Sequence, residues 1–306
     1  MPMSPILFML GSTLSLSVTG LLSKYLTHEM NIYLLSELRF LIPALLLLPL
    51  FFTQRFRFPA SGVRRALLIR AGSIAICQLA FLFSLEHLSL VESVVLFSTG
   101  PLFIPLLERV FFAVPLKLSA VVSLCITFLG VVLMTGDLSS FHLRLELLIG
   151  LAAGLFNAAS QLSLYRMSKS SLGATEINFW TFLLAAALLL PMTLWVWVSG
   201  SGESVDWVNE QAFLSGAALV TMSVMIINTQ ICRAKAYKMV ASNSQLAPLI
   251  FTNLLFAAIW QVLFFDEAFS LHQIFGISLM VFALISQSVM PRWRSNRSMT
   301  IKQRAA

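Results

Sequence analysis

Charged side chains are scarce in this chain, where Asp, Glu, Lys and Arg together make up only 11% of 306 residues. With 58% hydrophobic residues and a mean hydropathy of +0.88, the polar complement is too small to solvate a globular surface. Cysteine is rarer still. Cys77, Cys125 and Cys232 are odd in number and fall inside apolar stretches, which excludes a disulfide framework and predicts buried thiols. His28, His87, His142 and His272 lack the close spacing with Cys or acid that ligation requires, so no metal site is expected. There is no H-E-x-x-H, no Gly-flanked serine with His and acid at membrane depth, and no Walker-type phosphate loop. These absences argue against an enzyme, against direct ATP drive and against a cofactor. Long polar stretches are missing too: the connector near 200–211 is too short to form a soluble domain.

What the chain does have is a succession of apolar runs of about 20 residues, the length a helix needs to cross a hydrocarbon core of about 30 Å. They lie near 5–25, 32–53, 66–85, 93–113, 118–136, 147–166, 177–199, 212–233, 244–265 and 271–290. The runs are continuously apolar and rich in Leu, Ala and Phe, which predicts helices and not the alternation of a barrel. The first run lacks a basic flank and a cleavage site, so it is read as a membrane helix and not a signal peptide.

Charge sign fixes an expected orientation. Arg55, Arg57, Arg64, Arg65 and Arg70, then Arg109 and Lys117, Arg166 and Lys169, Arg233, Lys235 and Lys238, and the tail beyond Pro291 all fall on one side. The acids Glu29, Glu86, Glu92, Asp137, Glu146, Glu203, Asp206, Glu210, Asp266 and Glu267 fall on the other, with only Lys24 and Arg144 as basic company. Retention of Lys and Arg in the cytoplasm then places both termini inside. The same pattern accounts for the net charge of +7 without nucleic-acid binding, and sets the tail 291–306 against anionic headgroups.

Two stretches repeat. Gly100-Pro101-Leu102 followed by Gly130-Val-Val-Leu-Met134 is echoed by Ala247-Pro248-Leu249 followed by Gly276-Ile-Ser-Leu-Met280. Halves of five helices each would enter the membrane from opposite sides, giving inverted repeats over 1–140 and 141–290. In this architecture a central site opens alternately to each side.

These residues resemble the drug/metabolite transporter superfamily, whose members carry two EamA-type domains of five helices. The most specific piece runs from Tyr237 through Ser242-Asn-Ser-Gln-Leu-Ala-Pro248 to Phe265-Asp266-Glu267 and Gly276, resembling the ninth and tenth helices. Its first-half counterpart runs from Ser84 to Pro101. The chain departs from the family at Val114-Pro115, where a Gly-Glu pair is usual, and at Gln261, where a small residue is usual. The resemblance implies an all-α, ten-helix carrier of a small metabolite, an exporter or exchanger, in a bacterial cytoplasmic membrane. It names no metabolite and no oligomeric state; a channel or structural membrane protein is the alternative.

Within the spans, polar residues mark the candidate site, because an unpaired charge there costs roughly 2.5–3.5 kcal/mol on insertion scales. Glu37 and Arg39 project about 200° apart on one helix, so they cannot share a cavity. Arg39, with Lys24, is a candidate for an anionic substrate group; a packing ion pair, or Lys24 snorkelling to headgroups, is the structural reading. Asn157, Gln161 and Tyr165 recur at i, i+4 and i+8 and suit either a cavity wall or interhelical hydrogen bonds. Asn228 in the eighth span, and Gln245 and Thr252 in the ninth, join them as candidates. Gly150, Gly154 and Ala158 predict close helix packing, and Ser12, Ser15, Thr19 and Ser23 form a hydroxyl face. Glu108 is the candidate for a coupling proton, against a local charge pair with Arg109 or Arg70. Pro101 and Pro248 are expected to interrupt helices as kinks or hinges. Glu86, His87 and Glu92 read as a solvated turn.

Overall fold

Hydrogen-bonding side chains punctuate the apolar runs and set where helices begin. Asn31 Oδ1 accepts the Tyr33 amide at 2.9 Å between the first two helices. Ser89 and Glu92 form a reciprocal capping box, and Glu176 reaches back to the Gly173 amide at 2.6 Å. The computed structural model describes residues 3–53, 59, 61–112, 118–134, 144–199, 210–240, 246–250, 252–265, 270–272 and 274–283. Its helices are α1 (Met3–Glu29), α2 (Ile32–Thr53), α3 (Ser61–His87), α4 (Leu90–Phe97), α5 (Gly100–Phe112) and α6 (Leu118–Met134). They continue as α7 (Leu145–Ser168), α8 (Ala174–Val198), α9 (Glu210–Met239), α10 (Ala247–Ile250), α11 (Thr252–Phe264) and α12 (Ile274–Ala283).

Seven segments are long and apolar enough to cross a membrane: Pro5–Glu29, Ile32–Leu50, Gly62–His87, Leu90–Val110, Leu145–Ser168, Ala174–Val198 and Phe213–Met239. Helices α11 and α12 are apolar but shorter. Leu45, Phe52, Leu68, Leu188, Trp195, Trp197, Phe213, Val262 and Phe282 are exposed, a belt of large apolar side chains that only lipid accommodates.

Packing between the helices is reciprocal. α3 packs along α7 as α1 packs along α9; α3 meets α8 as α2 meets α9; α4 and α5 lie on α7 as α10 and α11 lie on α1. α2 also packs on α8, and α4 on α11. Gly130 lies so close to Gly276 and Met280 that a Cβ would stand 2.9 Å from the Gly276 carbonyl, so the repeated Gly-x-x-Leu-Met motifs meet each other. Gly150 and Gly154 allow the α4–α5 segment onto α7: a Cβ on Gly154 would lie 2.6 Å from the Leu96 carbonyl oxygen. The small-residue series therefore packs as its spacing implies.

The α4–α5 break sits one step ahead of the proline expected to make it. α4 ends at Phe97 and α5 starts at Gly100, so Pro101 occupies the first turn of the resumed helix, where its missing amide costs no hydrogen bond. Pro248 likewise falls in the first turn of α10. Neither proline kinks a helix interior; the chain is already broken ahead of Pro101, at Ser98 and Thr99.

Two lysines tie helix ends. Lys24 Nζ, on α1, donates to the Leu85 and Leu88 carbonyls at the end of α3, both at 2.8 Å. Lys169 Nζ, following α7, donates to the Lys238 and Val240 carbonyls at the end of α9, at 3.2 and 2.7 Å. Each places a cation where the helix dipole is negative. Gly150 of α7 abuts Ser84 of α3, whereas Ser160 of α7 meets Arg70 of α3. α3 and α7 are thus antiparallel, and the two latches close opposite ends of the bundle.

Candidate functional site

Two small buried cavities lie on either side of Leu16, at the centre of the bundle. The first is bounded by Phe97, Ser98 and Pro101 at the α4–α5 break, by Asn157 and Gln161 of α7, by Arg233 and Tyr237 of α9, and by Ile250 and Asn253. The second is bounded by Thr19, Arg39, Phe40, Gln78, Thr229 and Gln230, among others. Each has a volume of about 20 Å³, room for about one water.

The α7 stripe forms a hydrogen-bonded wall in the first cavity. Asn157 Nδ2 donates to the Phe97 carbonyl at 3.4 Å, Gln161 Nε2 donates to Asn157 Oδ1 at 3.3 Å, and the Tyr237 hydroxyl donates to Gln161 Oε1 at 3.0 Å. A Cβ on residue 100 would stand 3.1 Å from Asn157 Nδ2, so Gly100 lets the amide reach the broken backbone. Tyr165 lies beside this wall, edge-to-face with Tyr237 at 6.1 Å and under the Lys169 ammonium at 5.4 Å. It does not line either cavity.

The arginines are the largest departure from the sequence reading. Arg70 and Arg233, assigned to an inner flank, are 1% and 2% exposed, and Arg39 is 3% exposed. Arg70 spends its guanidinium on four neutral acceptors: Thr181 Oγ1 at 3.0 Å, the Ser160 carbonyl at 3.3 Å, Asn178 Oδ1 at 3.0 Å and Gln230 Oε1 at 3.2 Å. It is therefore a junction of α3, α7, α8 and α9 and is not the partner of Glu108. Arg39 donates through one terminal nitrogen to Ser23, and its Nε has no acceptor. Arg233 Nε is likewise buried without an acceptor.

The remaining candidates disperse. Lys24 is buried in its latch and does not snorkel to headgroups. Asn228 donates to Ser15 Oγ at 2.7 Å, and Thr252 Oγ1 lies 2.8 Å from Thr13 Oγ1, so both tie α1 to its neighbours outside the cavities. The hydroxyl face of α1 is used in the same way: Ser12 donates to the Thr229 carbonyl at 3.0 Å. Glu108 is half-buried on α5, beside an exposed Arg109. Glu92 is not part of a solvated turn; it is buried in its capping box, while Glu86 and His87 are exposed, 3.9 Å apart. Cys77 is buried as expected, but Cys125 is exposed on the apolar surface. Gln245 lies outside the described residues. Pro101 lines the first cavity with Asn157 and Gln161.

The sequence reading missed Arg233, Tyr237, Asn253, Gln78 and Gln230 as cavity residues. A signal was present for three of them: Gln230, Arg233 and Tyr237 recur at i, i+3 and i+7, one stripe of α9. Ending that span at residue 233 hid the stripe, since α9 continues to Met239.

Asn157, Gln161 and Tyr237 thus satisfy one another along the wall of the first cavity, while the buried Arg233 Nε and Asn253 Oδ1 there have no partner. No curated protein matches this chain. A solved structure described as "Crystal structure of protein" superposes with a TM-score of 0.62 at 16% identity, over 92% of this chain and 97% of that one, a likeness of fold. The EamA-like transporter family model matches twice, over residues 3–136 and 144–288, and the chain belongs to that family of membrane transporters.

Proposed function

We propose that this chain is a secondary carrier that moves a small metabolite by alternating access, as an exporter or exchanger. Its ten spans form two inverted five-helix halves, 1–140 and 141–290, with both termini and the basic tail 291–306 in the cytoplasm. The observation that carries the reading is the first cavity: Asn157, Gln161, Arg233, Tyr237 and Asn253 line a small space next to the α4–α5 break. Discontinuous helices around a midplane site are a recurrent carrier design, because their free ends offer hydrogen-bonding groups where lipid cannot. A channel is disfavoured, since the two cavities are water-sized and Leu16 lies between them.

The substrate-contacting residues in this reading are Arg39, Asn157 and Gln161. The hinge is the α4–α5 break next to Pro101, matched by the chain around Pro248. Glu108 is retained as the candidate proton-coupling group. Counterflow in proteoliposomes tests the carrier: a saturable uptake of labelled solute driven by unlabelled solute inside is expected, and linear flux without exchange would indicate a channel. Single cysteines at positions 137 and 203 should label only from outside; labelling from the cytoplasm would overturn the orientation.

A further inference from the structure

The buried residues carry more positive than negative charge: Lys24, Arg39, Arg70 and Arg233 against Glu37 and Glu92. Arg39, Arg70 and Arg233 are all fully buried, and none makes an ion pair among the described residues. Buried acids exist in Glu37 and Glu92, but Glu37 Oε2 has no partner and Glu92 caps α4. Uncompensated buried charge is costly, so groups left in this state in a well-packed interior point to a partner that arrives from outside.

The unmet hydrogen bonds are distributed in a pattern. The first cavity has the Arg233 Nε donor and the Asn253 side-chain amide unsatisfied; the second has the Arg39 Nε donor and the Gln78 amide unsatisfied. Each cavity therefore has among its lining residues a guanidinium Nε without an acceptor and an amide oxygen without a donor. A guanidinium matches the planar pair of oxygens on a carboxylate or the oxygens of a phosphate, and an amide oxygen accepts from a hydroxyl or amine. Arg70 differs because its donors are already spent on Thr181, Ser160, Asn178 and Gln230. It stiffens the site and adds charge.

We propose that the transported solute is a small organic anion bearing a carboxylate or phosphate together with a hydroxyl or amine, held between Arg233 and Arg39 after Leu16 withdraws. This rests on the carrier reading and names its substrate class. The anionic group takes the guanidinium donors, and the second group takes Asn253 or Gln78. Binding offsets part of the interior charge, which gives the loaded protein a reason to change state that the empty one lacks.

The test uses the purified full chain at constant ionic strength. Malate, glutamate and glycerol phosphate are compared with malamide, glycerol and choline as ligands in thermal unfolding. A saturable rise in midpoint is expected from at least one anion and from none of the others. Its apparent Kd should rise about tenfold or more in Arg39→Gln and Arg233→Gln and stay unchanged in the exposed-charge control Lys235→Gln. If a glutamine variant fails to fold, Arg233→Lys keeps the charge and loses the fork, and weaker anion binding is still expected. Stabilisation by a neutral or cationic compound that survives in the arginine variants would overturn the proposal, as would no response of a folded protein to all three anions. Counterflow separates this from failure of the carrier reading. Saturable exchange of a neutral or cationic solute, insensitive to Arg233→Lys, leaves a carrier without an anion site. Anion binding without any flux leaves an anion site without a carrier.

Discussion

The Lys24 and Lys169 latches perform one task at opposite ends of the bundle, and they perform it in different media. In each, a lysine near the end of one helix donates to the last carbonyls of a neighbour that the dipole makes negative. Lys24 is 4% exposed and both its hydrogen bonds are buried, whereas Lys169 is exposed and water can replace it at the Lys238 carbonyl, though its other acceptor belongs to the buried Val240. A hydrogen bond is worth little net where water competes, but the penalty for stranding a buried carbonyl is large. The end held by Lys24 is therefore the costlier to open. The same contrast runs through the broken segments: Gly154 presses α7 against α4–α5, while Gly11 on α1 has open space around it.

Removing the dry latch should have the largest effect. Lys24→Met strands two buried carbonyls at about 1–3 kcal/mol each, so the unfolding midpoint of the purified protein should drop by many degrees. A drop no larger than that of the Lys169 variant would erase the distinction between the ends. Next comes Gly154→Ala, whose Cβ would stand 2.6 Å from the Leu96 carbonyl oxygen; a loss of about 1–3 kcal/mol is expected, read from the same midpoint. Lys169→Met should cost less than Lys24→Met, because solvent takes over the exposed Lys238 carbonyl and leaves only the Val240 carbonyl to strand. Hydrogen exchange should show amides near residue 238 opening more readily than those near residue 85; the reverse order would place the weaker end at Lys24. Smallest, and opposite in sign, is Gly11→Ala: with nothing within 4 Å of the new Cβ, it should stabilise by up to about 0.5–1 kcal/mol through helix propensity. A destabilisation there would mean that α1 is packed on that face in the membrane.

Part of one cavity wall was legible in the sequence. Asn157 and Gln161 sit on one face because their spacing is helical, and that face does line a cavity with Pro101. Periodicity could not say that Tyr165, one turn further on, would instead pack on Tyr237. Asn228 and Thr252 illustrate the same limit: a polar residue in a span must find a partner, and only the neighbouring helix decides whether that partner is a solute or a serine. Arg70 and Arg233 were read as flank residues because both lie near the ends of apolar runs, where charge sign predicts loops. Helices α3 and α9 extend beyond those runs, which carries both arginines into the interior.

The sequence by itself determined that this chain lies in a membrane as apolar helices, that small residues pack α7 closely, and that two Gly-x-x-Leu-Met segments correspond. Those properties follow from run length, rise per residue and spacing, all of which are local. Only the tertiary structure decided which cations face inward and which carbonyls each lysine holds. It alone placed the α4–α5 break beside one of two cavities that share Leu16. Burial and hydrogen-bond partners are set by helices distant in the chain: Arg70 has its four acceptors on α7, α8 and α9, and no pattern within α3 records where those helices will lie.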